Sequence, residues 1–195
     1  MALAGGVVGT GDAGSCTDAA LNTALAGRGL VTFNCGSAPA IIDISIGTGT
    51  KTISADTTID GGSLITISGG KSVAVFRVND GVTFTVQNLT IANGSRGIAN
   101  NNGTVTVTNS TFSNNSADVN TVGGGICNYG TATVTNSTFS GNRAPGLEFG
   151  FGGLQAALYT KAMSPAGGGA IFNGGTLTVT NSTFSANSGL GSGIF

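Results

Sequence analysis

A ten-residue segment recurs almost unchanged three times in this chain: Gly103-Thr-Val-Thr-Val-Thr-Asn-Ser-Thr-Phe112, Gly130-Thr-Ala-Thr-Val-Thr-Asn-Ser-Thr-Phe139 and Gly175-Thr-Leu-Thr-Val-Thr-Asn-Ser-Thr-Phe184. Two degenerate copies precede them, Thr57-Thr-Ile-Asp-Gly-Gly-Ser-Leu-Ile-Thr-Ile67 and Gly81-Val-Thr-Phe-Thr-Val-Gln-Asn-Leu-Thr-Ile91. With the second strand valine as marker, the copies fall at Ile59, Val86, Val107, Val134 and Val179, in steps of 27, 21, 27 and 45 residues. A shorter element recurs before the later copies, as Gly97-Ile98-Ala99, Gly125-Ile126-Cys127 and Ala170-Ile171-Phe172, each running through Asn to Gly. Several short strands per period, joined by Gly, Asn and Ser turns, describe one coil of a solenoid and not a hairpin protein.

Alternation assigns the faces. In Thr104-Val105-Thr106-Val107-Thr108 the valines point one way and the threonines the other, and β-branched residues suit that pleated surface. Stacked coils then place valine on valine about 4.8 Å apart, with Phe112, Phe139 and Phe184 as a second column after a bend. Asn109, Asn136 and Asn181 share the valine parity. They are expected inside as a stacked amide ladder, or else exposed at the turn. The fold expected is all-β: a right-handed parallel β-helix of about five or six short rungs, forming one domain over residues 1–195.

Thr17 to Ala26 reads as a capping helix, with Thr17 as N-cap and Gly27 after the last turn, placed to cover the first rung. Cys16 and Cys35 flank this helix and the strand-like Val31-Thr32-Phe33. They are candidates for a disulfide in an oxidising compartment, the alternative being two reduced buried thiols. Cys127 sits at an apolar repeat position and reads as a small core residue. The opening residues 1–6 lack the basic and long apolar regions of a secretory leader.

The 45-residue step contains an insertion, about Pro145 to Ala166, whose Leu154–Met163 stretch is helix-like and ends near Pro165. Its Phe149, Phe151, Leu154, Leu158 and Tyr159 either pack on the solenoid wall or contact a partner. The sequence closes on Gly193-Ile194-Phe195, which matches the start of another coil. Either a longer protein continues there, or an open rung docks a second copy.

Charged residues are only 8% of the chain and the seven basic ones are scattered, so the clustered cations of a nucleic-acid surface are missing. No apolar run is long enough for a transmembrane helix. Histidine is absent, which removes His-based triads and most zinc sites. Only Asp118 and Glu148 among the acids lie beyond residue 80, and no acids stack at equivalent repeat positions, against the paired carboxylates or Ca²⁺ cluster of a polysaccharide lyase or hydrolase. Asp56 and Asp60 read more simply as turn caps. Neither cofactor nor catalytic residue is expected.

The repeats resemble those of bacterial secreted and surface-anchored right-handed β-helix proteins, including polymorphic outer-membrane-protein-like chains of pectate-lyase-like fold. Gly14-Ser-Cys-Thr-Asp-Ala-Ala-Leu21 with Val31-Thr-Phe-Asn-Cys-Gly36, and Ile53-Ser-Ala-Asp-Thr-Thr-Ile-Asp-Gly-Gly62, resemble their N-terminal caps. The resemblance implies an extracellular structural or adhesive module. A second expectation is binding to ice, another ordered surface or a glycan through the outward rows Thr83, Thr85, Thr104, Thr106, Thr108, Thr131, Thr133, Thr135, Thr176, Thr178 and Thr180, which resemble the arrays of β-solenoid ice-binding proteins. The competing explanation is that Thr simply suits an exposed strand.

Overall fold

The computed structural model describes residues 5–118, 121–145, 167–189 and 191–195. Its strands pair in parallel throughout, each with the equivalent strand one coil away, and the chain is an all-β parallel β-helix. The register follows the marker valines: Val31 pairs with Ile59, Ile59 with Val86, Val86 with Val107, Val107 with Val134 and Val134 with Val179. All but Val179 of this six-rung column are fully buried.

Each coil has three faces. The first carries Gly29–Phe33, residues 57–60 and 83–87, Thr104–Thr108, Thr131–Thr135 and Thr176–Thr180. The second, after the bend, carries Ala40–Asp43, residues 65–68 and 89–92, Thr111–Ser113, Thr138–Ser140 and Thr183–Ser185. Its inward column runs Ile42, Ile67, Ile91, Phe112, Phe139 and Phe184. The phenylalanines stack nearly parallel at ring separations of 4.6 and 5.0 Å. The third face carries Lys51–Ile53, Ala74–Val78, Arg96–Asn100, Ile126–Asn128 and Ile171–Asn173, with Ile194 bridged to Ile171.

The asparagine ladder lies elsewhere than the strand parity suggests. Asn109, Asn136 and Asn181 are exposed and left-handed, with φ of 48, 51 and 49°, and form the outer corner between the first two faces. Period-two parity holds only while the strand is extended, and one left-handed residue resets it. The next residue therefore faces in: Ser110 and Ser137 are buried, and each hydroxyl donates to the carbonyl two residues back (2.8 Å).

Two buried amide ladders stand at the other corners. Asn100 Nδ2 donates to Asn128 Oδ1, and Asn128 Nδ2 to Asn173 Oδ1, each at 2.7 Å. Asn115 Nδ2 donates to Asn142 Oδ1, and Asn142 Nδ2 to Asn187 Oδ1, each at 3.0 Å. Asn100, Asn115, Asn128 and Asn142 are wholly inaccessible, and each also donates to a backbone carbonyl, of Gly103, Ile91, Thr176 and Phe112 respectively.

Helix α1 (Asp18–Ala26) closes the N-terminal end of the core. Thr17 Oγ1 accepts from Ala20 N at 3.2 Å as N-cap, and Leu21 and Ala24 join the cluster that holds Val8 and Val31. The Cys16–Cys35 disulfide ties the entry of α1 to the strand after it. Lys51 occupies the inward position that Phe76, Ile98 and Ile126 fill on later coils, and is 2% exposed. Its ammonium pairs with the Asp18 carboxylate and donates to Thr48 Oγ1 at 2.6 Å. Burial raises the Asp18 pKa, but the hydrogen bonds from Lys51 and Thr48 and the Lys51 charge outweigh it and hold the carboxyl below its ordinary value of 3.8.

Asn142→Ala is expected to lose about 3 kcal/mol or more in denaturant titrations, because several buried donors and acceptors each go unpaired. Asn136→Gly, at a position that already has positive φ, is expected to shift stability by less than about 1 kcal/mol. A lowered folded pKa at Asp18 gives stability that is complete above its ordinary value and drains away as pH falls through the folded one. Thermal unfolding is expected to show Tm dropping below about pH 4. At neutral pH, Asp18→Asn should cost about 3–5 kcal/mol by stranding the buried lysine, and adding Lys51→Met should recover most of that loss.

Candidate functional site: the threonine face

The outward side of the first face carries a regular array. Thr83, Thr104, Thr131 and Thr176 pair in one column, and Thr85, Thr106, Thr133 and Thr178 in a second. Gln87, Thr108, Thr135 and Thr180 make the third. Parallel pairing sets the columns' repeat at about 4.8 Å, and alternate residues along a strand lie about 7 Å apart. Thr58 extends the second column by one coil, and Leu30, half exposed, stands beyond it. Among the described residues none of the eleven threonine hydroxyls in the array hydrogen-bonds to protein, whereas Thr48, Thr57 and Thr121 elsewhere do so. Each side chain therefore presents a methyl and an uncommitted hydroxyl to solvent.

The turns keep this face clear. The first-to-second corner is two residues in each close repeat, Asn109–Ser110, Asn136–Ser137 and Asn181–Ser182, and the third-to-first corner is residues 101–103, 129–130 and 174–175. All growth in coil length in these repeats is placed at the second-to-third corner, as residues 93–95, then 114–125, then 141–170. The insertion's Phe149, Phe151, Leu154, Leu158 and Tyr159 fall outside the described residues.

Acidic residues border the array without forming a reactive pair. Asp56 accepts from Thr83 N at 2.8 Å. Asp60 accepts from Gly62 N, Asn88 Nδ2 and Gln87 Nε2, at 3.0, 3.0 and 2.8 Å. Burial raises the Asp60 pKa, but these three donors prevail and hold it below its ordinary 3.8. Among the described residues no cluster of three or more His, Cys, Asp or Glu could hold a metal, and no helix is long and apolar enough to cross a membrane.

A second outward row was not anticipated from sequence. Thr66, Thr90, Thr111, Thr138 and Thr183 pair in register along the second face, beside the serines Ser113, Ser140 and Ser185. The signal was present, since alternation resumes around each phenylalanine in Thr-Phe-Ser. Cys127 is buried outside the main column, in a satellite cluster with Val122 and Phe172 on the outer side of the third face. Burial pushes its thiol up against the pull of the Arg96 charge and a hydrogen bond with Tyr129, so it stays protonated and unreactive at neutral pH.

The sequence matches the family model of the Chlamydia polymorphic membrane protein repeat over residues 109–129 and 136–174. These segments hold the stacked Phe112 and Phe139 and the ladder residues Asn115 and Asn142, so the likeness is to the units that build the coil. No curated protein and no solved structure gives a significant match.

If the array existed to stabilise the sheet, replacing its hydroxyls would cost free energy. Because they have no partner among the described residues, Thr106→Val and Thr133→Val are expected to change stability by less than about 0.5 kcal/mol, read by chemical denaturation.

Proposed function

We propose that this chain is a non-catalytic β-helix module of a bacterial cell surface, structural and adhesive, with the threonine face as its contact surface. The observation that carries the reading is the in-register array of uncommitted hydroxyls on a face that every adjacent turn leaves clear. Similarity to a repeat of membrane proteins supports a surface location. The Cys16–Cys35 disulfide fits an oxidising compartment outside the cytosol.

The non-catalytic part rests on how the acids are used. Asp12 and Asp43 each accept hydrogen bonds from a serine two or three residues on. Asp18 holds the buried lysine, and Asp56 and Asp60 pin neighbouring coils. Each of these carboxylates has a structural partner, so none of the five is left as a poised acid or base beside the array.

Beads coated with the 195-residue chain are expected to be retained on at least one of three surfaces: epithelial cells, crystalline cellulose or ice-templated silica. Retention by a Thr106→Lys/Thr133→Lys variant is expected to fall about tenfold or more. Failure of the native chain on all three, or equal retention of the variant, overturns the contact-surface reading.

A further inference from the structure

We infer that the threonine face binds ice. This deepens the contact-surface reading and rests on it. Four observations point to a partner that is itself a two-dimensional lattice. First, eleven of the twelve outward nodes are Thr, with Gln87 the exception, a repetition matched inside these strands only by the marker column Val86, Val107, Val134 and Val179. Directly behind them one inward column reads Phe84, Val105, Ala132 and Leu177. Strand propensity alone would accept Val, Ile or Tyr at those outward nodes. Second, the outward residues of the third face show no such repetition, with Arg77, Ala99, Cys127 and Phe172 in one register column.

Third, no node carries a charge or an aromatic ring. A glycan site would use rings as stacking platforms, and a protein partner has no need of the same side chain at every node. Fourth, the hydroxyls are uncommitted among the described residues, so each can both donate to and accept from an ordered water molecule. The mesh of about 4.8 by 7 Å lies close to the oxygen repeats on exposed planes of hexagonal ice, over a patch roughly 14 by 13 Å. The methyls occupy the spaces between anchored waters, and burying them against the lattice adds a hydrophobic contribution.

The test is incorporation of the fluorescently labelled 195-residue chain into a slowly growing ice hemisphere, alongside inhibition of ice recrystallisation at micromolar concentration. The native chain is expected to enter the ice, and Thr106→Lys/Thr133→Lys to be excluded about tenfold more strongly. Thr138→Lys on the second face should still enter. Thr106→Gln/Thr133→Gln, whose side chain the sheet already accepts at Gln87, secures the comparison if the lysine variant does not fold, and is also expected to be excluded. Exclusion of the native chain, or equal entry of folded Lys or Gln variants, overturns the proposal. If the native chain is excluded from ice while the variants still lose retention on cells or cellulose, ice falls and the contact surface stands. If neither readout responds to the substitutions, both fall.

Discussion

Every part of this molecule depends on one rung burying the next. A coil of three short strands has no interior of its own. Val107 is inaccessible because Val86 and Val134 lie on either side of it, and Phe139 because Phe112 and Phe184 sandwich its ring. The same residues on the last described coil show the dependence directly: Leu177, Val179 and Phe184 are only partly buried, although their sequence repeats that of coils with complete burial. Stability in such a stack is a sum of neighbour contacts, so the most consequential feature of a coil is its register with the previous one.

Register is what the amide ladders enforce. A parallel sheet of valines and threonines is nearly degenerate to sliding by two residues, since the pattern repeats with that period. An asparagine inside a corner removes the degeneracy. Asn142 bonds the backbone of one coil and the amides of the coils before and after it, and a slip would leave all of these groups buried and unpaired. At the N-terminal end the lock is ionic: a lysine stands where later coils place Phe or Ile, and its charge is answered only if α1 docks with Asp18 over it. An ion pair of this kind adds little net stability against a hydrophobic alternative, but it ties the cap to a single position.

How legible all this was follows from how far each signal reaches along the chain. The coil register could be read from the marker valines because the repeat is close to literal, and the capping helix from Thr17 and Gly27 because caps are local. Strand parity extended through a left-handed corner places the ladder at Asn109, Asn136 and Asn181, but parity does not survive such a corner, and the alternative of exposed turn asparagines is the one that holds there. The correct positions had a subtler mark: Asn100, Asn128 and Asn173 stand two residues after each repeated isoleucine, and Asn115, Asn142 and Asn187 three after each repeated phenylalanine. The Lys51–Asp18 pair had no mark, because the two residues are 33 apart and nothing repeats there. On the first face the outward rows are legible from Thr83 onward because the strands there repeat, whereas Thr58, in a degenerate copy, and the row on the second face are not picked out.

The distribution of coil length shows which surfaces the fold holds constant. Steps of 21, 27 and 45 residues would in principle scatter loops around all three corners. Instead two corners stay at two or three residues through these repeats, and the third takes the whole difference. Part of that restriction is mechanical: the corner at Asn109 needs one left-handed residue and a serine, and the corner at Asn128 closes on its own amide, so neither geometry admits an insertion without breaking hydrogen bonds on both sides. The corner that follows Ser113 and Ser140 is bonded coil to coil at its start through Asn115 and Asn142 and at its end through Gly123, Gly124 and Gly125 to Gly167, Gly168 and Gly169, and the chain can leave and return between these points. The threonine face lies between the two closed corners. Its openness to solvent is therefore a consequence of the same hydrogen bonds that fix the register, and the sheet holds its outward nodes on a constant mesh however long the intervening loops become.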